Sequence, residues 1–306
     1  MFNEYWNKQI DIWLGDGADA FEVRTPRLGR KPRIVISGSY TSTDQVNQLD
    51  VSISDFYPGR FIKEYTEASV SAGYYGQMRK FFTGSISTIY ITSGGAGRTV
   101  EMSLIPAKMQ RWYGGVDGMV NIHMRPGDSF KSAVLVITRA LGMDEPEINN
   151  HLLTRDYMFY DPWVETSSGR EALHRLRAMF PGVVVAVRNN HIVAYPFVNR
   201  SNGGGTGGHV YRLGVIKGTP LVTGSSITVE SVWDPRILPG DIVQYESPYA
   251  QLAVGSSGMF KGQTPGKGTT LSVTDVKFQF GTYDENSMTI NGIGSWYGMN
   301  AVSKAE

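Results

Sequence analysis

From Pro32 onward the apolar residues fall on every second position. Arg33-Ile34-Val35-Ile36-Ser37 opens the stretch, Leu49-Asp50-Val51-Ser52-Ile53-Ser54 and Ala68-Ser69-Val70-Ser71-Ala72-Gly73 alternate residue by residue, and Phe81 to Ile91 and Arg98 to Leu104 continue it. Successive side chains of a strand point to opposite faces, so this alternation predicts half-buried β-strands. Polar turns such as Tyr57-Pro58-Gly59-Arg60 and Ser93-Gly94-Gly95-Ala96-Gly97 separate them. Short strands at such spacing predict a barrel or sandwich over residues 32–115.

The period changes in residues 116–198. Arg125-Pro126-Gly127-Asp128-Ser129 is a turn ending in a helix N-cap candidate, and Phe130 to Leu141 then reads as an apolar helix stopped by Gly142. Ser168 followed by Glu171 fits a capping box and opens a helix with Leu173, Leu176 and Phe180 inward, ended by Pro181-Gly182. Val183 to Val187 then turns at Asn189-Asn190 into His191 to Tyr195, a tight hairpin. Together these predict a small α/β insert. Residues 199–208, Asn199 to Gly208, contain no apolar residue and read as a Gly-rich linker.

The β pattern resumes over residues 209–306, in Val210 to Val215, Ile227 to Trp233, Asp241 to Glu246, Ala250 to Val254 and Leu271 to Phe280. Within it, Gly218 to Ser247 reads as two strands joined by a Pro/Gly corner. The expected fold class is therefore mainly β, two β-barrel domains with a small α/β insert between them. Residues 1–31 form an N-terminal arm: Glu4 to Leu14 is apolar at mixed spacing, compatible with a short helix or an extended segment. Arg24 to Arg33 follows as a basic strip, read as a solvated linker in preference to a docking strip for an acidic partner.

Composition narrows the function classes. The chain has 306 residues, 29 Lys and Arg against 28 Asp and Glu, and 19% charged residues, so it is globular, nearly neutral and without the basic excess of a nucleic-acid binder. It has no cysteine, which excludes disulfides, thiolate nucleophiles and Cys-ligated metals. The acidic N-terminal stretch predicts neither a signal peptide nor an anchor, and no window approaches a membrane span, so a soluble protein made in a cytoplasm is expected.

Catalytic signatures are scarce. The five histidines (His123, His151, His174, His191, His209) form no HExxH and no helical pair. Gly262 to Thr269 imitates a phosphate loop, but only three residues separate Gly262 from Gly266-Lys267, and Gly268 stands where Ser or Thr is required. Asp11, Asp16 and Asp19 are too irregular for a calcium loop, and no cofactor is implied. Among carboxylates, Asp161, Glu165 and Glu171, with His174, would be the candidates if the insert were a cell-wall (peptidoglycan) hydrolase. Exposed Trp112 and Tyr113 would serve a carbohydrate-binding module.

What remains is surface. Tyr74-Tyr75, Trp112-Tyr113 and Trp296-Tyr297 stand at or near strand ends, and several aromatics so placed favour an interface. The Gly/Ser/Lys loop Gly255 to Thr270, carrying Lys261 and Lys267, is of a kind that reaches outward to a partner.

Gln48 to Ser87 resembles the first barrel of tail hub (baseplate hub) proteins of tailed bacteriophages and related contractile injection systems. The matching elements are Val51 to Ile53, Ala72-Gly73-Tyr74 and Phe82-Thr83-Gly84-Ser85-Ile86, in that order. Gly218 to Pro220 and Ile227 to Gln244, with strands to about Phe280, are similar to the hub's second barrel, and Gly169 to Pro196 to its intervening subdomain. Each motif alone is weak, and their order carries the resemblance, which begins at Pro32 and shows no hydrolase extension after Phe280. It implies two tail-tube-like barrels per chain and a homotrimer whose six barrels form a pseudo-sixfold ring. That ring would join the tail tube, or a tube-initiator ring protein, to the central spike. Its lumen would house the C-terminus of the tape-measure protein and pass DNA only in transit, with few basic side chains inward. The resemblance also implies a virion location at the tail tip or baseplate after assembly in the host cytoplasm, and no catalysis.

Overall fold

The computed structural model of the chain describes residues 8–15, 21–24, 32–41, 48–55, 66–74, 77–94, 97–106, 118–154, 157–181, 183–188, 191–196, 210–223, 226–245, 251–252, 269–283 and 286–295. It is mainly β, with two helices in an insert between two strand sets. The first set holds β1 (Lys8–Leu14), β2 (Phe21–Arg24), β3 (Arg33–Thr41), β4 (Leu49–Ser54), β5 (Glu67–Tyr74), β6 (Arg79–Gly94) and β7 (Gly97–Pro106). The insert contributes β8 (Met119–Met124), α1 (Phe130–Ala140), β9 (Glu147–Ile148), β10 (Trp163–Ser168), α2 (Gly169–Met179), β11 (Val183–Arg188) and β12 (His191–Pro196). The second set holds β13 (Val210–Arg212), β14 (Ile216–Thr223), β15 (Ser226–Ser231), β16 (Ile242–Tyr245), β17 (Gln251–Leu252), β18 (Thr269–Gly281) and β19 (Asn286–Ser295).

The two sets are wired alike. In the first, β3 pairs with β4, β4 with β7, β7 with β6 and β6 with β5, all antiparallel. In the second, β14 pairs with β15, β15 with β19, β19 with β18 and β18 with β16, again all antiparallel. Chain order and sheet order match position for position. The sets are not separate sheets: β18 also pairs with β3, so one sheet of 14 strands runs through both.

One core underlies that sheet. Ile34, Ile36, Val51, Ile53, Val100 and Leu104 of the first set share an apolar cluster with Ile227, Val229, Leu271, Phe280 and Ile290 of the second. Each such side chain, once buried, contributes about 1.5–3 kcal/mol. The N-terminal segment joins it as a strand: Ile10, Ile12 and Leu14 are fully buried, and β1 pairs along its whole length with β5. Lys8 crosses to the second set, its Nζ donating to the Tyr283 carbonyl at 2.6 Å and lying 5.9 Å from the centre of the Phe280 ring.

The insert has its own core, in which Phe130, Val134 and Ile137 of α1 face Leu173 and Leu176 of α2 and Val185 and Ile192 of the hairpin. Both helix starts are as the sequence predicts. Ser129 Oγ accepts from Ser132 N at 3.2 Å, and Ser168 Oγ from Glu171 N at 3.3 Å. Gly142, at φ 63°, ends the first helix in the left-handed region. The strands β8 and β10, which the sequence reading did not single out, pair with each other in a separate ribbon. The insert meets the second strand set at Gly240, where φ is 96° and a Cβ would lie 2.1 Å from the Tyr195 ring, so only glycine fits the corner of Leu238-Pro239-Gly240-Asp241. Buried Asp241 fixes that corner by accepting from Leu238 N at 2.8 Å. Among the described residues no helix is long and apolar enough to cross a membrane.

Candidate interface edges

The seam between the sets is a joint of two strand edges, β18 on β3. β18 divides one edge between two neighbours: Thr269 to Ser272 pair with β16, and Asp275 to Gly281 pair with β3, with Phe278 opposite Gly38 and Lys277 opposite Ser39. A bulge at Thr274, between Val273 and Asp275, lets one strand serve both. Aromatic rings seal the inner face. Phe278 stacks on Tyr40 with centroids 5.5 Å apart and on Trp233 at 5.3 Å, and meets the edge of Phe81 at 6.0 Å. Burial pushes the Tyr40 phenol well above the ordinary tyrosine range.

β6 is built like β18. Its first part, Arg79 to Ser85, pairs with β5, and a bulge at Ser87, between Ile86 and Thr88, follows. The Ser87 hydroxyl donates to the Ser103 carbonyl at 3.0 Å, just as Thr274 donates to the Asn291 carbonyl at 3.1 Å. The next layer matches as well: Ser103 Oγ donates to Asp50 at 2.6 Å, and Thr228 Oγ1 donates to Asn291 Oδ1 at 2.7 Å. Just before the bulge, Gly84 is obligatory, because a Cβ there would lie 2.1 Å from the Ile105 carbonyl oxygen. Beyond it the two strands part company. Thr88 to Gly94 pair with β7 on one side, and among the described residues no strand lies on the other. Tyr90 is 64% exposed there and Ile91 53%.

A cleft of about 640 Å³ opens on the second-set side of the seam, between the β5–β6 turn (Gly73, Gln77, Arg79) and the corner carrying Trp233, Asp234 and Arg236. Arg236 grips Asp234 through Nε and Nη2, at 2.8 and 2.5 Å, and its guanidinium sits 5.4 Å from the Tyr211 ring centre. The hydrogen bonds from Arg236 to Asp234 raise the arginine's pKa further. Arg79 and Arg212 also line this cleft, giving it a cationic bias.

No family model matches the chain, and no curated protein does. Solved structures do. A 43 kDa tail protein of prophage MuSo2 from Shewanella oneidensis superposes with a TM-score of 0.57 at 10% identity, over 94% of this chain and 98% of that one. A tail protein from Neisseria meningitidis gives a TM-score of 0.55 at 8% identity, over 94% and 96%. An E. coli component of the type VI secretion system, itself structurally similar to the T4 bacteriophage tail proteins gp27 and gp5, gives 0.55 at 11%, over 88% of this chain and 76% of that one. The chain has the fold of phage tail proteins. Near-complete coverage in both directions extends that likeness to both strand sets and the insert together.

Of the aromatic and basic residues expected at interfaces, Tyr74 is described. Its ring meets Phe280 edge-on at 5.7 Å, and its hydroxyl accepts from Asn286 Nδ2 at 2.8 Å, so the side chain bridges the two sets while lining the cleft. Tyr75, Trp112, Tyr113, Lys261, Lys267, Trp296 and Tyr297 lie outside the described residues. In the insert, Glu165 is a brace: its side chain is 7% exposed, accepts from Trp163 Nε1 at 2.8 Å and pairs with Arg175 at 3.1 Å. Asp161, Glu171 and His174 are exposed. Among the described residues, no three His, Asp or Glu side chains converge as metal ligands. The outer edge of β6 was missed at the sequence level. Its signal was there, in the uncharged, β-branched run Ser87-Thr88-Ile89-Tyr90-Ile91-Thr92, which overruns its partner β5.

Proposed function

We propose that this chain is a structural protein of a phage tail, a hub in which three copies form a pseudo-sixfold ring beneath the tail tube and offer a threefold face to the central spike. The observation that carries this reading is the repeated wiring: two strand sets of the same topology, joined edge to edge by β18 and β3 within one chain. A chain with two like units counts twice around a ring, so three chains supply six similar positions, which is what a sixfold tube meeting a threefold spike requires. The fold shared with tail proteins supports the same reading.

On this reading the tube, or a tube-initiator ring protein, stacks on one face and the spike docks on the other. The lumen holds the end of the tape-measure protein and passes DNA, and the protein sits at the tail tip after assembly in the host cytoplasm. Its work is geometric, and no bond is made or broken. Electron-microscopy class averages of the purified chain test the proposal. A ring with an open centre and six similar peripheral densities supports it, and compact single-chain particles count against it.

A further inference from the structure

We infer that the outer edge of β6, Thr88 to Gly94, pairs antiparallel with β14 of a second copy of this chain, Ile91 opposite Val222 of the partner subunit and Tyr90 opposite Thr223 of the partner subunit. This deepens the hub reading and rests on it for the ring that the pairing closes.

The register follows from the internal repeat. The bulges place Ser87 on Thr274, and hence Thr88 on Asp275, Tyr90 on Lys277, Ile91 on Phe278 and Gly94 on Gly281. The hydrogen-bonded pairs place Asp50 on Thr228, since Asp50 stands opposite Ser103 and Thr228 opposite Asn291. Ser37 is opposite Asp50 and Leu221 opposite Thr228, so Ser37, Gly38 and Ser39 correspond to Leu221, Val222 and Thr223. Within the chain, Gly38 faces Phe278 and Ser39 faces Lys277. Replacing each residue by its counterpart gives Val222 facing Ile91 and Thr223 facing Tyr90. Within one chain β6 and β14 are not paired in the sheet, which leaves this pairing to a second copy.

Three features make the occupant a second copy. The equivalent edge of β18 is already filled, by β3 of the same chain, so the molecule contains a working example of the joint. The free edge is uncharged and rich in β-branched residues, with Tyr90 and Ile91 exposed, a combination that pairs with a strand or aggregates. Among the described residues the complementary edge of β14 is covered by the two-residue β17 alone, at Leu221 and Val222, which association would exchange for a longer ladder. The joint is head-to-tail, so repeated copies close into a ring when the rotation closes.

The absence of cysteine permits a direct test. A full-length chain carrying Tyr90→Cys and Thr223→Cys places the thiols on directly opposed residues. Their Cα atoms would be about 4.5–5.5 Å apart, within disulfide reach. Mild oxidation is expected to link copies into a ladder that ends at one closed size on a non-reducing gel. A mismatched chain with Tyr90→Cys and Lys217→Cys, whose second site lies away from Thr223 beyond the irregularity between Lys217 and Leu221, is expected to link far more slowly. Ile91→Lys, at an exposed position, is expected to fold normally and to self-associate at least about tenfold more weakly, since it buries an unpaired charge. Linking no faster in the matched than in the mismatched chain, or unchanged association of Ile91→Lys, overturns the inference. If rings form while the matched pair stays unlinked, the register is wrong and the hub reading stands. If the wild-type chain stays single at every concentration, both fall.

Discussion

Phe278→Ala removes the ring at the centre of the seam. Phe278 is 5% exposed and touches Tyr40 and Phe81 from the first strand set and Trp233 from the second. Truncating a buried phenylalanine costs about 3–5 kcal/mol, including the cavity it leaves. For a cooperative unit of this size, each kcal/mol moves the melting temperature by about 2–4 °C, so a fall of about 6–20 °C is expected. The distinctive consequence is its reach. Because the two sets share one sheet and one core, calorimetry should show a single β transition that shifts as a whole, while the insert, with its separate core, holds its own. Two β transitions in the wild-type chain, with only one displaced by the variant, would refute the shared core.

Gly84→Ala drives a methyl group into the Ile105 carbonyl and should destabilise the β transition by about 1–3 kcal/mol, read by chemical denaturation. Ser168→Ala removes the cap of α2 and should lower the stability of the insert by about 1 kcal/mol while leaving the β transition in place. Glu165→Gln breaks the brace to Arg175. Because that arginine is half exposed, the loss should be about 1–2 kcal/mol, confined to the insert, and the variant should assemble as wild type does in sedimentation.

Much of the fold was legible because alternation and capping are local signals. Leu49 to Ser54 and the caps at Ser129 and Ser168 stand where the pattern put them. Other elements escaped for physical reasons. In β1, Trp13 sits at an outward position of the Ile10, Ile12, Leu14 alternation and blurs the period, and in β19 the apolar face is thinned to Met288, Ile290 and Gly292. Asn286 starts β19 and ties Trp233 N and the Tyr74 hydroxyl together, a long-range role that no local pattern announces. The seam itself could not be read, because nothing local distinguishes a strand whose neighbour lies more than two hundred residues away. The free edge of β6 became recognisable only beside its counterpart β18, whose matching edge is occupied.

The most decisive single measurement is the solution mass of the purified chain by light scattering, followed across a concentration series. A closed hub predicts a plateau at three times the 33.8 kDa chain, with no larger species above it. A mass that stays at one chain throughout, or that climbs without limit, contradicts a closed ring built from this subunit.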